Sequence, residues 1–285
     1  METHMERRTT LFVMNVQTED REIGEVAEMA AREDHHLLCL MLDTAPALPA
    51  YSYSVPPYGG LNIPDDWKEA LASTQANIKS RCDTIEQLLA QRNASGEVQA
   101  VLTASMDAKH VVARFARVSD EAIFSQSLRE TRDLMTEAAS GVLFHSPIGF
   151  RINANLARNP ECIFVAWDSS EAASAAVHAA LPHMLDAREV IIGCIDPVTT
   201  VNRDGQDPGT DVAAWLSHHG CLVTLSQYPS GGRSIADVIQ GRAAEAGSDL
   251  IVMGAYGHAR MIQTVLGGTT LSMVEQTMLP VFLAH

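Results

Sequence analysis

The chain closes with "DLIVMGAYGHARMIQTVLGGTTLSMVEQTMLPVFLAH", Asp249 to His285. "DLIVMG" is a short run apolar on both faces, the pattern of a strand buried in a parallel sheet. Gly254, Gly257, Gly267 and Gly268 follow, a helix is expected near Thr269 to Met278, and "PVFLAH" reads as a last strand. Glycines cluster where backbone turns tightly or where something approaches it closely. Spacing alone leaves both readings open. A ligand loop of this kind would present successive N–H groups to phosphates at the start of the last helix, with Thr269 or Thr270 adding hydroxyls. A purely structural loop would be two tight turns with threonine caps. The stretch has neither the G-K-[ST] of a P-loop nor G-x-G-x-x-G.

Upstream, the same alternation repeats. "CIFVAW" (Cys162 to Trp167) runs into Asp168-Ser169-Ser170 and an alanine-rich helix, which Pro182 is expected to bend or end. "EVIIGCIDP" is a second strand and "CLVTLSQY" a third, with helices near Asp211 to His219 and over "SIADVIQGRAAEAG". Strands alternating with helices predict an α/β domain with a mainly parallel sheet.

The N-terminal half follows the same plan: "TLFVMNV", "HLLCLML", "EVQAVLTA", "EAIFSQS" and "GVLFHSP" read as five strands separated by helices. Phe12-Val13 precedes Phe164-Val165 by 152 residues, and Asp43 precedes Asp196 by 153. Matching offsets at two strand ends indicate an internal duplication. The expected organisation is residues 1–147 as a degenerate domain, "IGFRINANLARNP" (148–160) as linker, and 161–285 as the domain with the glycine loop. Tyr51, Tyr53 and Tyr58 fall in a Pro/Gly/Tyr loop expected to pack on its own domain, with a separate ligand or partner site as the other reading.

Composition narrows the function classes. A net charge of −15 argues against nucleic acid and anionic membrane surfaces as partners. No run has the length of a transmembrane helix, and "RRTTLFVMNV" is too short for a signal peptide, so the cytoplasm is the default location. The five cysteines are odd in number, lack C-x-x-C pairing and read as buried free thiols. His35-His36 and His218-His219 are adjacent pairs, which do not share one helix face as metal ligands would. No G-x-S-x-G elbow is present. Met261, Met273 and Met278 read as core fillers.

In an open parallel sheet, ligands sit outside the carboxyl ends of the strands. Those ends carry Trp167 and Asp168, Ile195 and Asp196, and Met253 and Gly254. An aspartate there could accept from ribose hydroxyls or an amino group, with Ile195 and Met253 as apolar walls around a flat base. Asp168 could equally be a helix N-terminal carboxylate stabilised by the macrodipole.

The glycine loop and its flanking strands resemble the C-terminal signature of universal stress proteins, whose nucleotide-binding branch carries G-x2-G-x9-G-[ST] after the fourth strand. "FVAWDSSEAASAAVHAAL" is similar to that family's first strand and helix. The resemblance covers roughly residues 161–285 well and 9–147 in order and pattern only. It implies two tandem Rossmann-like domains of the adenine nucleotide alpha hydrolase type, each a five-stranded mainly parallel sheet flanked by helices. It further implies bound ATP, with or without Mg²⁺, and a role in the stress response. "GVLFHSP" and "PVFLAH" would pair as an intramolecular pseudo-dimer, with a homodimer left open. By position, Asp168 would bind ribose or adenine, and Trp167, Ile195 and Met253 would flank the base. Gly254, Tyr256, Gly257 and Gly267 would lie along the phosphates, where His258 and Arg260 could add charge. Gly268 departs from the family's Ser or Thr, removing a hydroxyl worth about 1 kcal/mol, which Thr269 or Thr270 could replace. The N-terminal half has Val16 at the position of Asp168 and no G-x-x-G, so it is expected to keep packing without nucleotide. A scaffold of the same fold that binds no nucleotide is the alternative. Turnover would amount to a slow ATPase at most, since only Asp168 and Asp196 suggest a base or metal ligand.

Overall fold

The computed structural model describes residues 7–46, 63–154, 156–200, 204–255, 268–276 and 278–285. In the N-terminal half the chain runs β1 (Thr9–Met14), α1 (Asp20–Arg32), β2 (His36–Thr44), α2 (Asp65–Gln91), β3 (Gly96–Thr103), α3 (Ala108–Ala116) and β4 (Glu121–Phe124). It ends with α4 (Gln126–Glu130), α5 (Arg132–His145) and β5 (Phe150–Ile152). The C-terminal half repeats the plan with β6 (Cys162–Trp167), α6 (Glu171–Asp186), β7 (Glu189–Ile195), α7 (Thr210–His218) and β8 (Val223–Tyr228). It continues through α8 (Ile235–Glu245), β9 (Leu250–Gly254), α9 (Gly268–Glu275) and β10 (Val281–Ala284).

The strands form a single ten-stranded sheet in the order β3-β2-β1-β4-β5-β10-β9-β6-β7-β8. Neighbours are parallel throughout except at the centre, where β5 and β10 pair antiparallel through Phe150↔Leu283, Arg151↔Phe282 and Ile152↔Val281. Strands buried on both faces explain the continuous apolar runs. In β1, Leu11 and Val13 enter a core shared with α3 and α5, while Phe12 and Met14 pack under α1. In β6, Phe164 joins that same shared core, and Ile163 and Val165 pack under α6. One core therefore runs across both halves on one face of the sheet. Among the described residues no helix is long and apolar enough to cross a membrane.

Four local expectations are corrected. "GVLFHSP" is the end of helix α5, and the strand that pairs with β10 is Phe150–Ile152, inside the stretch read as linker. A short apolar run does not distinguish a buried strand from a buried helix; here it continues the helix begun at Arg132, and Gly141 lets that helix approach α3, since a Cβ there would lie 2.5 Å from the Lys109 carbonyl. "EAIFSQS" stops as a strand at Phe124, because the Ser125 hydroxyl accepts from the Leu128 N–H and starts α4. Pro182 does not end α6, which continues to Asp186 with Met184 buried beneath it. Met273 is fully buried as a core filler, but Met278 is 85% exposed; Met261 lies outside the described residues.

Charge is buried at the junction of the halves. The Glu121 carboxylate of β4 accepts from Arg151 Nε of β5 and pairs with His183 Nε2 of α6 at 2.5 Å, and all three side chains are almost wholly enclosed. Burial alone would raise the Glu121 carboxyl, but Arg151 and His183 outweigh it and hold the group well below the usual carboxylate range. Phe282 of β10 stands edge-on to His183 at 6.0 Å, and Gly149 leaves room for that ring, since a Cβ there would lie 2.5 Å from it. Removing one partner of a buried ion pair strands the others, so Glu121→Gln is expected to cost about 3–5 kcal/mol in urea denaturation. A loss below about 1 kcal/mol would contradict this. Because the folded carboxyl is depressed, its contribution is present above the unfolded value near ~4.3 and lost as pH falls below it. The variant should accordingly lose less stability than wild type on acidification through that window.

Candidate functional site

The crest of the C-terminal half, at the carboxyl ends of β6, β7 and β9, gathers several of the residues singled out from sequence. Register sets Trp167 beside Cys194, Met253 beside Ala166, and Ile195 beside Tyr228. Met253 is buried, Trp167 and Ile195 are half-buried, and Asp168 and Asp196 are exposed at the strand ends. Two non-glycine residues here adopt left-handed backbone, Ser169 with φ 57° and Asp196 with φ 45°. Each lies just beyond a strand end, after β6 and β7. Such conformations are uncommon outside glycine and cluster at functional turns.

Both crest carboxylates take part in these turns. Asp168 Oδ1 accepts from the Ser170 N–H at 3.1 Å, and the Ser170 hydroxyl caps α6 by accepting from the Ala173 N–H at 3.1 Å. Asp196 Oδ1 accepts from the Ser230 N–H at 2.9 Å, and hydrogen bonding from the Ser230 side chain first, then from this N–H, lowers the Asp196 carboxyl below the usual range. Ser230 had no sequence signal, because its partner lies in another loop. The Cys194 thiol just below the crest is pushed up to about 11 by burial first, then by Asp204 and Asp168. It is a packing residue and not a nucleophile, and all five cysteines are free thiols.

The glycines divide by cause. A Cβ on Gly254 would lie 2.5 Å from both Ala172 C and Ala173 N, so this glycine is required by the close approach of β9 to the start of α6. Gly268 is different: it opens α9, is exposed, and has open space where a Cβ would go. Thr269 is half-buried, and Thr270 is 3% exposed, with its side chain turned into the protein. The first turn of α9 holds no acidic residue, whereas those of α6, α7 and α8 carry Glu171, Asp211 and Asp237. Tyr256, Gly257, His258, Arg260 and Gly267 lie outside the described residues, as do Tyr51, Tyr53 and Tyr58.

The corresponding corner of the N-terminal half is filled by its own side chains. Asn15, opposite Trp167 in the duplication, accepts at Oδ1 from Ser127 Oγ at 2.8 Å and from the Gln17 N–H at 3.0 Å. Its Nδ2 donates to the Ser127 carbonyl at 3.1 Å. Thr18 Oγ1 accepts from the Asn15 N–H at 3.2 Å and lies 3.1 Å from Ser125 Oγ and 2.8 Å from Ser127 Oγ. These groups satisfy one another, and α4 follows β4 directly where the other half has its glycine loop. Among the described residues no group of three or more His, Cys, Asp or Glu is placed to hold a metal ion.

No family model matches the sequence, and no curated protein does. Solved structures do. A universal stress protein from Archaeoglobus fulgidus superposes with a TM-score of 0.65 at 13% identity, covering 96% of this chain and 97% of that one. A provisionally assigned universal stress protein from Pseudomonas aeruginosa gives 0.56 at 14% identity, covering 98% and 94%. A functionally unknown protein from the same species gives 0.54 at 14%, covering 98% and 93%. At these identities the likeness shows the fold: an α/β arrangement of Rossmann-like halves shared, over nearly the whole chain, with universal stress protein structures.

Gly254 and Gly268 should behave oppositely. Gly254→Ala is expected to destabilise by about 1–3 kcal/mol through overpacking against α6, while Gly268→Ser should stay within about 0.5 kcal/mol of wild type. Thermal denaturation of the two variants checks this, and the reverse order would contradict it.

Proposed function

We propose that the chain is a tandem universal stress protein that binds one adenine nucleotide, ATP, at the crest of its C-terminal half and acts as a stress-response regulator. The observation that carries this reading is the start of α9. An exposed glycine with open space above it begins a helix whose first turn is free of acid, downstream of the loop with G-x2-G-x9-G spacing. Helix N-termini hold phosphates through backbone N–H groups and the macrodipole. That mode suits a chain of net charge −15. The base and ribose fall to Trp167, Asp168, Ile195 and Met253, on three adjacent strand ends. Along the phosphates the reading keeps Gly254, Tyr256, Gly257, Gly267 and Gly268 for their backbone, and Thr269 for a hydroxyl. Thr270, being buried, is assigned to packing.

Asp168 and Asp196 each anchor a turn. The reading is therefore binding and signalling, with no group assigned as a general base. The reverse observation, that Gly254 is explained by packing alone, favours the scaffold alternative, and binding decides between them. Denatured protein should release adenine nucleotide at up to one equivalent per chain, or bind added ATP in calorimetry. Asp168→Ala should weaken ATP about tenfold, the equivalent of about 1.4 kcal/mol. Gly268→Ser should tighten it about fivefold by restoring a hydroxyl worth about 1 kcal/mol. Absence of both released nucleotide and heat with millimolar ATP would favour the scaffold.

A further inference from the structure

The antiparallel pairing of β5 with β10 turns the two halves end over end, so the crest of the N-terminal half meets the foot of the C-terminal half. At that meeting point, Arg129 of α4 reaches the end of α9. Its Nη2 donates to the carbonyl oxygens of Val274 at 2.6 Å and Gln276 at 2.7 Å. Its Nη1 donates to Asn153 Oδ1 and to Gln126 Oε1 at 3.2 Å. Asn153, left-handed with φ 52°, donates through Nδ2 to the Gln276 carbonyl at 3.0 Å and the Leu279 carbonyl at 3.1 Å. Arg132 of α5 adds an exposed pair with Glu275 at 3.1 Å.

A helix leaves its last carbonyls without partners, and a cation there is favoured by the macrodipole. α9 spans eight residues and has no basic residue in its last turn. Its C-terminal cap is thus supplied by the other half of the molecule. Its opposite end, Gly268, is the end assigned above to phosphate.

We propose that Arg129 is a positioning residue for the nucleotide site: the N-terminal half clamps the C-terminus of α9 so that its first N–H groups are held in place for phosphate. This rests on the nucleotide reading of the C-terminal crest, and it assigns a task to a half whose own corner is filled by Asn15, Thr18 and Ser127. Thr270, Met273 and Val274 seat one side of α9 in the core, and a fork holding two carbonyls at its C-terminal end bears on where its N-terminus points.

The test compares wild type, Arg129→Gln and Arg129→Lys for ATP and for adenosine by calorimetry, with amide hydrogen exchange read over Gly268 to Glu275. Arg129→Gln should weaken ATP at least fivefold, leave adenosine within twofold, and speed exchange in α9; Arg129→Lys should recover part of the ATP affinity. Asn153→Gly, which keeps the left-handed backbone and removes the amide, should shift the same ratio and serves if Arg129→Gln does not fold. Wild-type binding with both ligands unchanged in the variants, or both weakened equally, would overturn the positioning role and leave the site reading intact. Unaltered exchange in α9 would overturn the clamp whatever binds. A wild-type protein that binds neither ligand would overturn the site reading, and this role with it.

Discussion

Everything in the molecule depends on one antiparallel contact, β5 against β10. Each half alone would end in an exposed strand edge, a template for unwanted pairing. Joining the two edges converts them into the centre of a ten-stranded sheet and leaves only β3 and β8 outermost. The pairing itself spans three residues, too few to be persuasive without support. The Glu121–Arg151–His183 cluster supplies it on one face, and a continuous core from Leu11 to Leu283 supplies it on the other. A buried ion cluster is a poor source of net stability, because desolvation offsets attraction. What it contributes is register: a shift of one residue would bring an apolar neighbour against Glu121.

Duplicated halves joined in this way point their crests in opposite directions. Only the C-terminal crest keeps a glycine-rich connection into a helix. The N-terminal crest is filled by hydroxyls and an amide that bond to one another. From that same end of the half, Arg129 of α4 reaches the C-terminal end of α9 and donates to the Val274 and Gln276 carbonyls.

Legibility in the sequence followed the range of the interactions. The duplication, the parallel halves and their order were readable, because apolar runs and strand-end aspartates are local signals repeated at constant spacing. The fifth strand was missed because "GVLFHSP" is as apolar as a strand, whereas its Gly141–His145 portion is the last stretch of the 14-residue helix α5, which packs closely on α3 at Gly141. Gly254 was visible, but its cause was not: α6 lies far upstream, and only in three dimensions do Ala172 and Ala173 occupy its Cβ position. Arg129 and Glu121 carried no signal at all, since their partners lie 145, 30 and 62 residues away. At the candidate site, spacing singled out Asp168 and Gly268. The left-handed turns at Ser169 and Asp196 were not legible, because neither residue is a glycine.

On the proposed reading, a duplicated fold keeps one nucleotide site and uses its other half to support it. A crystal structure grown with a non-hydrolysable ATP analogue should then show one nucleotide per chain, with its base against Trp167 and Ile195 and its phosphates at the N-terminus of α9. Density at the Asn15 corner of the N-terminal half, or an analogue bound elsewhere with the C-terminal crest empty, would contradict it.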